Sequence, residues 1–356
     1  VREVLAGGLL AIDGGVVEAD ALVAGGALAV RARTGVSVGA GVLANGPVSV
    51  VVSDGALVVG GSLASNSALA VTAQGDIGVL GGVGSGAAAS LVSSQGHIAV
   101  QGGVSSVASI HLDAFGQLGV SGDLAARGPI VLRSGTAGID VAGNLAGAGS
   151  LSADAAGNIR FAGEALVGGD LAVATTAGAM AFDRTLEVGG ATHLAAVGGM
   201  RFGGDSRFFG ALSLGSADGP IVNQGQLYTS SDFILDTLGD FISEGRIESL
   251  GSVSIRAAQL ALNDHESGGV FANGGIRLAA RDSGRLGARG LLLSSGAIVL
   301  EGPRFETSGD ALSSGGSFSF TGNTLVNAGL VAARSAVVNG RLENEAGGRI
   351  SAVSVQ

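Results

Sequence analysis

Apolar residues recur along this chain as pairs with one residue between them, and the pairs keep a fixed distance from one another. Val36/Val38, Leu57/Val59, Ile77/Val79, Ile98/Val100, Leu118/Val120, Ile139/Val141, Ile159/Phe161, Met180/Phe182 and Met200/Phe202 are successive copies. Their first members step by 21, 20, 21, 20, 21, 20, 21 and 20 residues, a register that chance does not hold over eight intervals. Inside one copy the period is two. Leu69, Val71, Ala73, Gly75, Ile77 and Val79 fall on one side, and Thr72, Gln74 and Asp76 on the other. Ile110, Leu112, Ala114, Gly116, Leu118 and Val120 repeat the spacing. Each copy therefore predicts two or three short strands joined by tight bends, and helical spacing is not sustained.

After Ile221 the wording changes and the length does not. Leu227 matches Ile247 and Phe233 matches Val253, 20 residues apart; Ile276/Leu278, Ile298/Leu300 and Phe318/Phe320 follow at less regular steps, which predicts loops bulging from the stack. A 20-residue unit of period-two strands cannot bury an apolar face alone, so it must stack on its neighbours. The expectation is an all-β parallel solenoid of about 17 coils with a 20–21 residue repeat. Glycine at the bends is expected to supply positive φ, and small inward residues to let the walls approach.

Composition agrees with a thin, stacked core. The 356 residues include 66 Gly and 46% hydrophobic residues but only 4% aromatic ones, with no Trp and no Cys. That is too apolar for disorder and too poor in large aromatics for a round core. Disulfides, thiolate metal sites and cysteine catalysis are excluded. The net charge of −10 is scattered, and every cationic side chain other than His is Arg, which argues against nucleic acid and anionic membrane surfaces as partners. No apolar stretch is long enough to span a bilayer as a helix. The opening Val1-Arg2-Glu3-Val4 has no signal-peptide character, and the chain starts and stops inside its own pattern, so it reads as part of something longer.

One resemblance is carried by particular segments. Val222-Asn223-Gln224-Gly225-Gln226-Leu227, Phe241-Ile242-Ser243-Glu244-Gly245-Arg246-Ile247 and Leu325-Val326-Asn327-Ala328-Gly329-Leu330 resemble the L-x-N-x-G-x-I/L haemagglutinin repeat. That repeat is typical of filamentous haemagglutinin and related two-partner-secretion exoproteins, contact-dependent inhibition toxins among them. The units of residues 27 to 220 are similar to the other repeat class of those proteins. The resemblance implies a right-handed parallel β-helix, with a regular shaft over residues 1–220 and haemagglutinin-type repeats with longer loops over 221–356. It implies a chain secreted through an outer-membrane pore to the bacterial cell surface.

Candidate chemistry is sparse. His97, His111, His193 and His265 fall in different units, and no two share a metal-ligand spacing. Asn263-Asp264-His265-Glu266 is the sharpest polar cluster, but neighbours in a strand point to opposite faces and neighbours in a loop are solvated. Asp232, Asp236, Asp240, Glu244 and Glu248 recur every four residues. A helix would gather them into one stripe; the repeat register instead places them outside, with Phe233, Leu235, Thr237, Phe241 and Ile247 inside. The Gly-rich run Gly81–Gly86 has neither the Lys of a phosphate loop nor the Asp of a calcium repeat, and reads as a bend. Arg201, Arg207, Phe208 and Phe209 form the one concentrated basic and aromatic patch, the candidate for binding a sugar or partner surface. The alternative is one Phe in the core and one half covered.

No catalytic, cofactor or metal site is expected. The function expected is a rigid extracellular shaft of an adhesin or exoprotein, projecting binding or toxic domains encoded elsewhere in the chain. Its expected partners are the secretion pore and a host or bacterial surface receptor or glycan. The competing reading is a polysaccharide-binding or polysaccharide-degrading β-helix, which for degradation needs clustered carboxylates with Arg on adjacent rungs.

Overall fold

The alternation of apolar and polar positions becomes an alternation of buried and exposed side chains in the computed structural model, which describes residues 3–262, 268–287, 290–313 and 315–356. Every strand pairing with a recorded register is parallel, and no helix occurs among the described residues. The fold is an all-β parallel solenoid of about 17 turns. Contacts divide it into two compact units, Val1–Gly178 and Ala179–Gln356.

In the first unit one coil contributes three strands, for example Leu69–Ala73, Ile77–Val79 and Val83–Ser85, before the next begins at Ala89. Each strand bonds to its equivalents one coil earlier and later. Leu69 lies opposite Val48 and Ala89, Ile77 opposite Leu57 and Ile98, and Val83 opposite Leu63 and Val104. The result is one long wall of five-residue strands and two short walls of three-residue strands. In the earliest coils the strands Leu10–Ala24 and Leu28–Ala44 run round the corners unbroken. The pairing there steps by 18 residues at Leu10 and Leu28, with register shifts at Gly14/Val16 and Ala19/Ala21, so the 20–21 residue step is established only after Leu28.

The second unit keeps the three walls, with Leu227 opposite Ile247 and Phe233 opposite Val253. From Val253 onward the corner after the long wall is absorbed into continuous strands, Val253–Leu262, Ile276–Leu286, Ile298–Thr307 and Ser317–Asn327. The pairing step grows from 19 at Ser243 and Leu262 to 23 at Arg246 and Gly269. Most of the irregular length thus enters at the corner between the short walls, and Ile276, Ile298 and Phe318 stay aligned.

Glycine acts differently from the expectation. Positive φ among the described glycines is confined to Gly199, Gly302, Gly340 and Gly347. At the other bends glycine permits close stacking. Gly61, Gly81, Gly102, Gly122, Gly143 and Gly163 follow one another at the corner between the short walls of the first unit, and Gly102 N–H donates to the Gly81 carbonyl at 3.0 Å. A Cβ on Gly102 would lie 2.6 Å from the Gly81 carbonyl carbon. Backbone cannot yield there without opening the ladder, so Gly102→Ala is expected to destabilise by about 2 kcal/mol. Gly119→Ala, whose Cβ would meet nothing within 4 Å, should be neutral or stabilising by a few tenths. Urea unfolding of the two variants checks this; equal midpoints would remove close approach as the reason for the glycine column.

Candidate functional site

The N-x-G signature acquires a physical meaning in the second unit. Asn223 is wholly buried on the first short wall and donates from Nδ2 to Ser243 Oγ of the next coil at 3.0 Å. Asn327 is equally buried, receives the Thr307 hydroxyl on Oδ1 at 3.0 Å and donates to Asn344 Oδ1 at 2.8 Å. These bonds run between coils inside an apolar column, where a mispaired amide is costly, so they hold the register. The Gly two residues on, Gly225 or Gly329, sits against the carbonyl of Gly204 or Gly309 one coil earlier. In the last copy Val331, not Leu330, fills the inward position, which restores strict period two after Asn327 and Gly329.

A second ladder runs outside, at the residue preceding each strand. Asp76 Oδ1 accepts the His97 N–H at 2.8 Å, and His97 Nδ1 accepts the Gln117 N–H at 2.7 Å. Asp123 Oδ1 accepts from Asn144 N–H, Asn144 Oδ1 from Glu164 N–H, Asp205 Oδ1 from Gln226 N–H and Asp232 Oδ1 from Ser252 N–H. In each case the side chain of one coil takes the backbone donor of the following coil. The strand has not yet begun its own pairing there, and the cap satisfies an amide that the bend leaves open. His97 therefore belongs to a polar ladder at a bend. His111 lies 3.9 Å from Asp113 on the outer long wall, and His193 is exposed.

The acidic residues spaced by four are outside, as the strand register requires: Asp232, Asp236 and Glu244 are exposed, and Asp240 and Glu248 half-buried. Asp236 pairs with Arg256 at 3.7 Å and with Arg281 at 3.5 Å; Arg281 also donates to the Thr237 carbonyl at 2.7 Å, reaching across two coils. The cluster Asn263-Asp264-His265-Glu266 lies outside the described residues.

The four residues of the basic and aromatic patch separate. Phe208 is completely buried and belongs to the core. Arg201 sits on the first short wall, held by Asp183 at 3.0 Å and by Gln224 Oε1 at 2.9 Å. Arg207 and Phe209 remain at the surface of the second short wall and the corner that follows it; Phe209 is 50% exposed and makes an edge contact with Tyr228 at 6.4 Å between ring centroids.

That wall carries residues which linear proximity does not reveal. Its outward positions, one per coil, are Glu187, Arg207, Tyr228, Glu248, Phe271 and Leu293. The Arg246 guanidinium lies 4.1 Å from the Phe271 ring centroid and bonds to Glu248 at 2.9 Å. Tyr228 and Phe271 are 43 residues apart in sequence yet two coils apart in space. Only the 20-residue offset, applied to outward rather than inward positions, could have found them.

No curated protein and no solved structure matches the chain. A family model of the haemagglutinin repeat matches residues 23–128, 116–181, 210–282 and 251–352. The matches overlie both the regular pairs and the buried Asn–Gly copies. With well over half of its length matched in this way, the chain belongs to the haemagglutinin repeat family.

Proposed function

We propose that this chain is the rigid extracellular shaft of a large secreted bacterial adhesin or exoprotein, exported through an outer-membrane pore and presenting domains encoded elsewhere in the polypeptide. Proteins with this repeat are typically secreted and surface-exposed, and the repeat in a β-solenoid is adhesin-like. The observation that carries the reading is the commitment of the polar groups. Buried Asn, Ser and Thr side chains, and the Asp, Asn and His residues before the strands, bond from coil to coil. Such a structure spends its polar chemistry on holding adjacent coils in register, which is what a spacer requires. Within the shaft, we take the change of repeat type after residue 220 as a change from a regular stretch to one with longer corners.

The experiment is to remove whole coils from the full-length protein on its cell surface. Deleting residues 77–117, two steps of the repeat, should leave folding and export intact and bring a distal epitope closer to the surface by about 10 Å. Deleting ten residues, half a coil, should abolish export or folding, because it sets wall residues of one coil against the corners of its neighbours and breaks the ladders between them. Unchanged epitope distance after a tolerated two-coil deletion would refute the spacer role. Incubation with pectins, glucans and glycosaminoglycans is expected to release no reducing ends; release abolished by Asp76→Ala or His97→Ala would make the bend ladder a catalytic site instead.

A further inference from the structure

We infer that the outer face of the second short wall in the second unit, between Glu187 and Leu293, is a binding platform for an extended, uncharged β-1,4-linked polysaccharide. The inference rests on the shaft reading only in taking this wall as solvent-facing in the mature protein.

The first observation is where the aromatic residues went. The chain has 12 Phe and one Tyr. Nine of the Phe are fully buried, and Phe115, Phe209, Phe271 and Tyr228 are left on the outside or half-covered. Three of these four lie on this wall or at its corner, on closely spaced coils. The same outward column in the first unit reads Leu43, Ala64, Gly84, Ser105, Ala125, Ala146 and Leu166, with no ring among them, so the fold itself does not call for aromatic side chains there.

The second observation is spacing. Tyr228, Glu248 and Phe271 are in register on three consecutive coils. Their backbone positions are therefore about 10 Å apart along the stacking direction, twice the inter-strand distance. This is close to the two-residue repeat of an extended β-1,4-linked glycan, whose alternate rings present the same flat, apolar C–H face. Phe209, set edge-on to Tyr228, forms a side to that platform.

The third observation is charge. Glu187, Arg207, Glu248 and Arg246 are two acids and two bases interspersed with the rings. The Arg207 guanidinium makes no hydrogen bond or ion pair among the described residues, leaving its five donors for hydroxyl or amide oxygens. A balanced strip offers no net attraction to a sulfated or uronic polymer. It complements a neutral polymer with an apolar face and a hydroxyl rim, the combination that aromatic rings with polar neighbours recognise.

Because Tyr228 is the only Tyr and there is no Trp, its emission reports on this strip alone. The full chain would be titrated with cellohexaose, chitohexaose and a heparin hexasaccharide, following tyrosine fluorescence and heat. Saturable binding of a neutral hexasaccharide with a change in Tyr228 emission is expected. Phe209→Ala and Tyr228→Ala should each weaken it about tenfold by calorimetry, and Phe115→Ala should leave it unchanged. These are surface changes, and an unaltered thermal melt confirms that each variant folds. Tighter binding of heparin, no binding of either neutral hexasaccharide, equal affinity in Tyr228→Ala, or self-association of the chain that Tyr228→Ala abolishes would each overturn the proposal. None of these outcomes touches the coil-deletion result, so the spacer role stands or falls separately.

Discussion

A carboxylate placed on the inner side of a wall should open the coils around it. Val120 and Ile159 are each 1% exposed; Val120 lies between Val100 and Val141 on neighbouring coils, and Ile159 is in register with Ile139. The column is narrow and apolar, so the acid must either ionise without a partner or be buried protonated with unmet hydrogen bonds. Val120→Asp and Ile159→Asp are expected to destabilise by on the order of 4 kcal/mol. A stacked array unfolds between neighbours rather than all at once, so amide exchange should rise first within a coil or two of the change. Gln74→Asp and Gln117→Asp, on the outward side, should leave both the melt and the exchange pattern nearly unchanged. Equal melting shifts for the two classes would contradict the inside and outside assignment.

Removing the ring of Phe202 should produce an effect of similar size by a different route. Phe202 is fully buried and stacks on Phe182 of the preceding coil, with centroids 5.7 Å apart and planes within 9°. On its other side, in register, is the buried amide of Asn223, whose Oδ1 has no partner among the described residues. Phe202→Ala leaves a cavity bounded by a ring and an amide that backbone ladders on both sides hold in place, so collapse is limited. The expected loss is about 3–5 kcal/mol. Phe209→Ala, at a half-exposed position, should lose less than about 1 kcal/mol. Chemical denaturation of the two variants checks the pair, and a small loss for Phe202→Ala would mean that the column can close up.

The linear pattern determined the coil length, the inward face and the neighbour relation. Ile77 is beside Leu57 and Ile98, and Phe233 beside Val253, because a period of two fixes which face is apolar and a period of 20 or 21 fixes what it stacks on. Both are properties of one chain read in order. The exterior of Asp232 to Glu248 was legible for the same reason. The job of most bend glycines was not: whether Gly102 needs positive φ or merely room depends on the carbonyl of Gly81, which no local pattern places. The caps at Asp76, Asp123 and Asp205 were hidden likewise, since a side chain bonding to the next coil's backbone looks in sequence like an ordinary turn residue. The surface patch shows the limit most clearly. Adjacency in sequence grouped Arg201, Arg207, Phe208 and Phe209, but alternation along a strand buries Phe208, and a corner sends Arg201 to another wall. Stacking brought in Tyr228 and Phe271, because in a solenoid a surface is assembled across coils at a spacing of about 5 Å, whereas consecutive residues are divided between inside and outside.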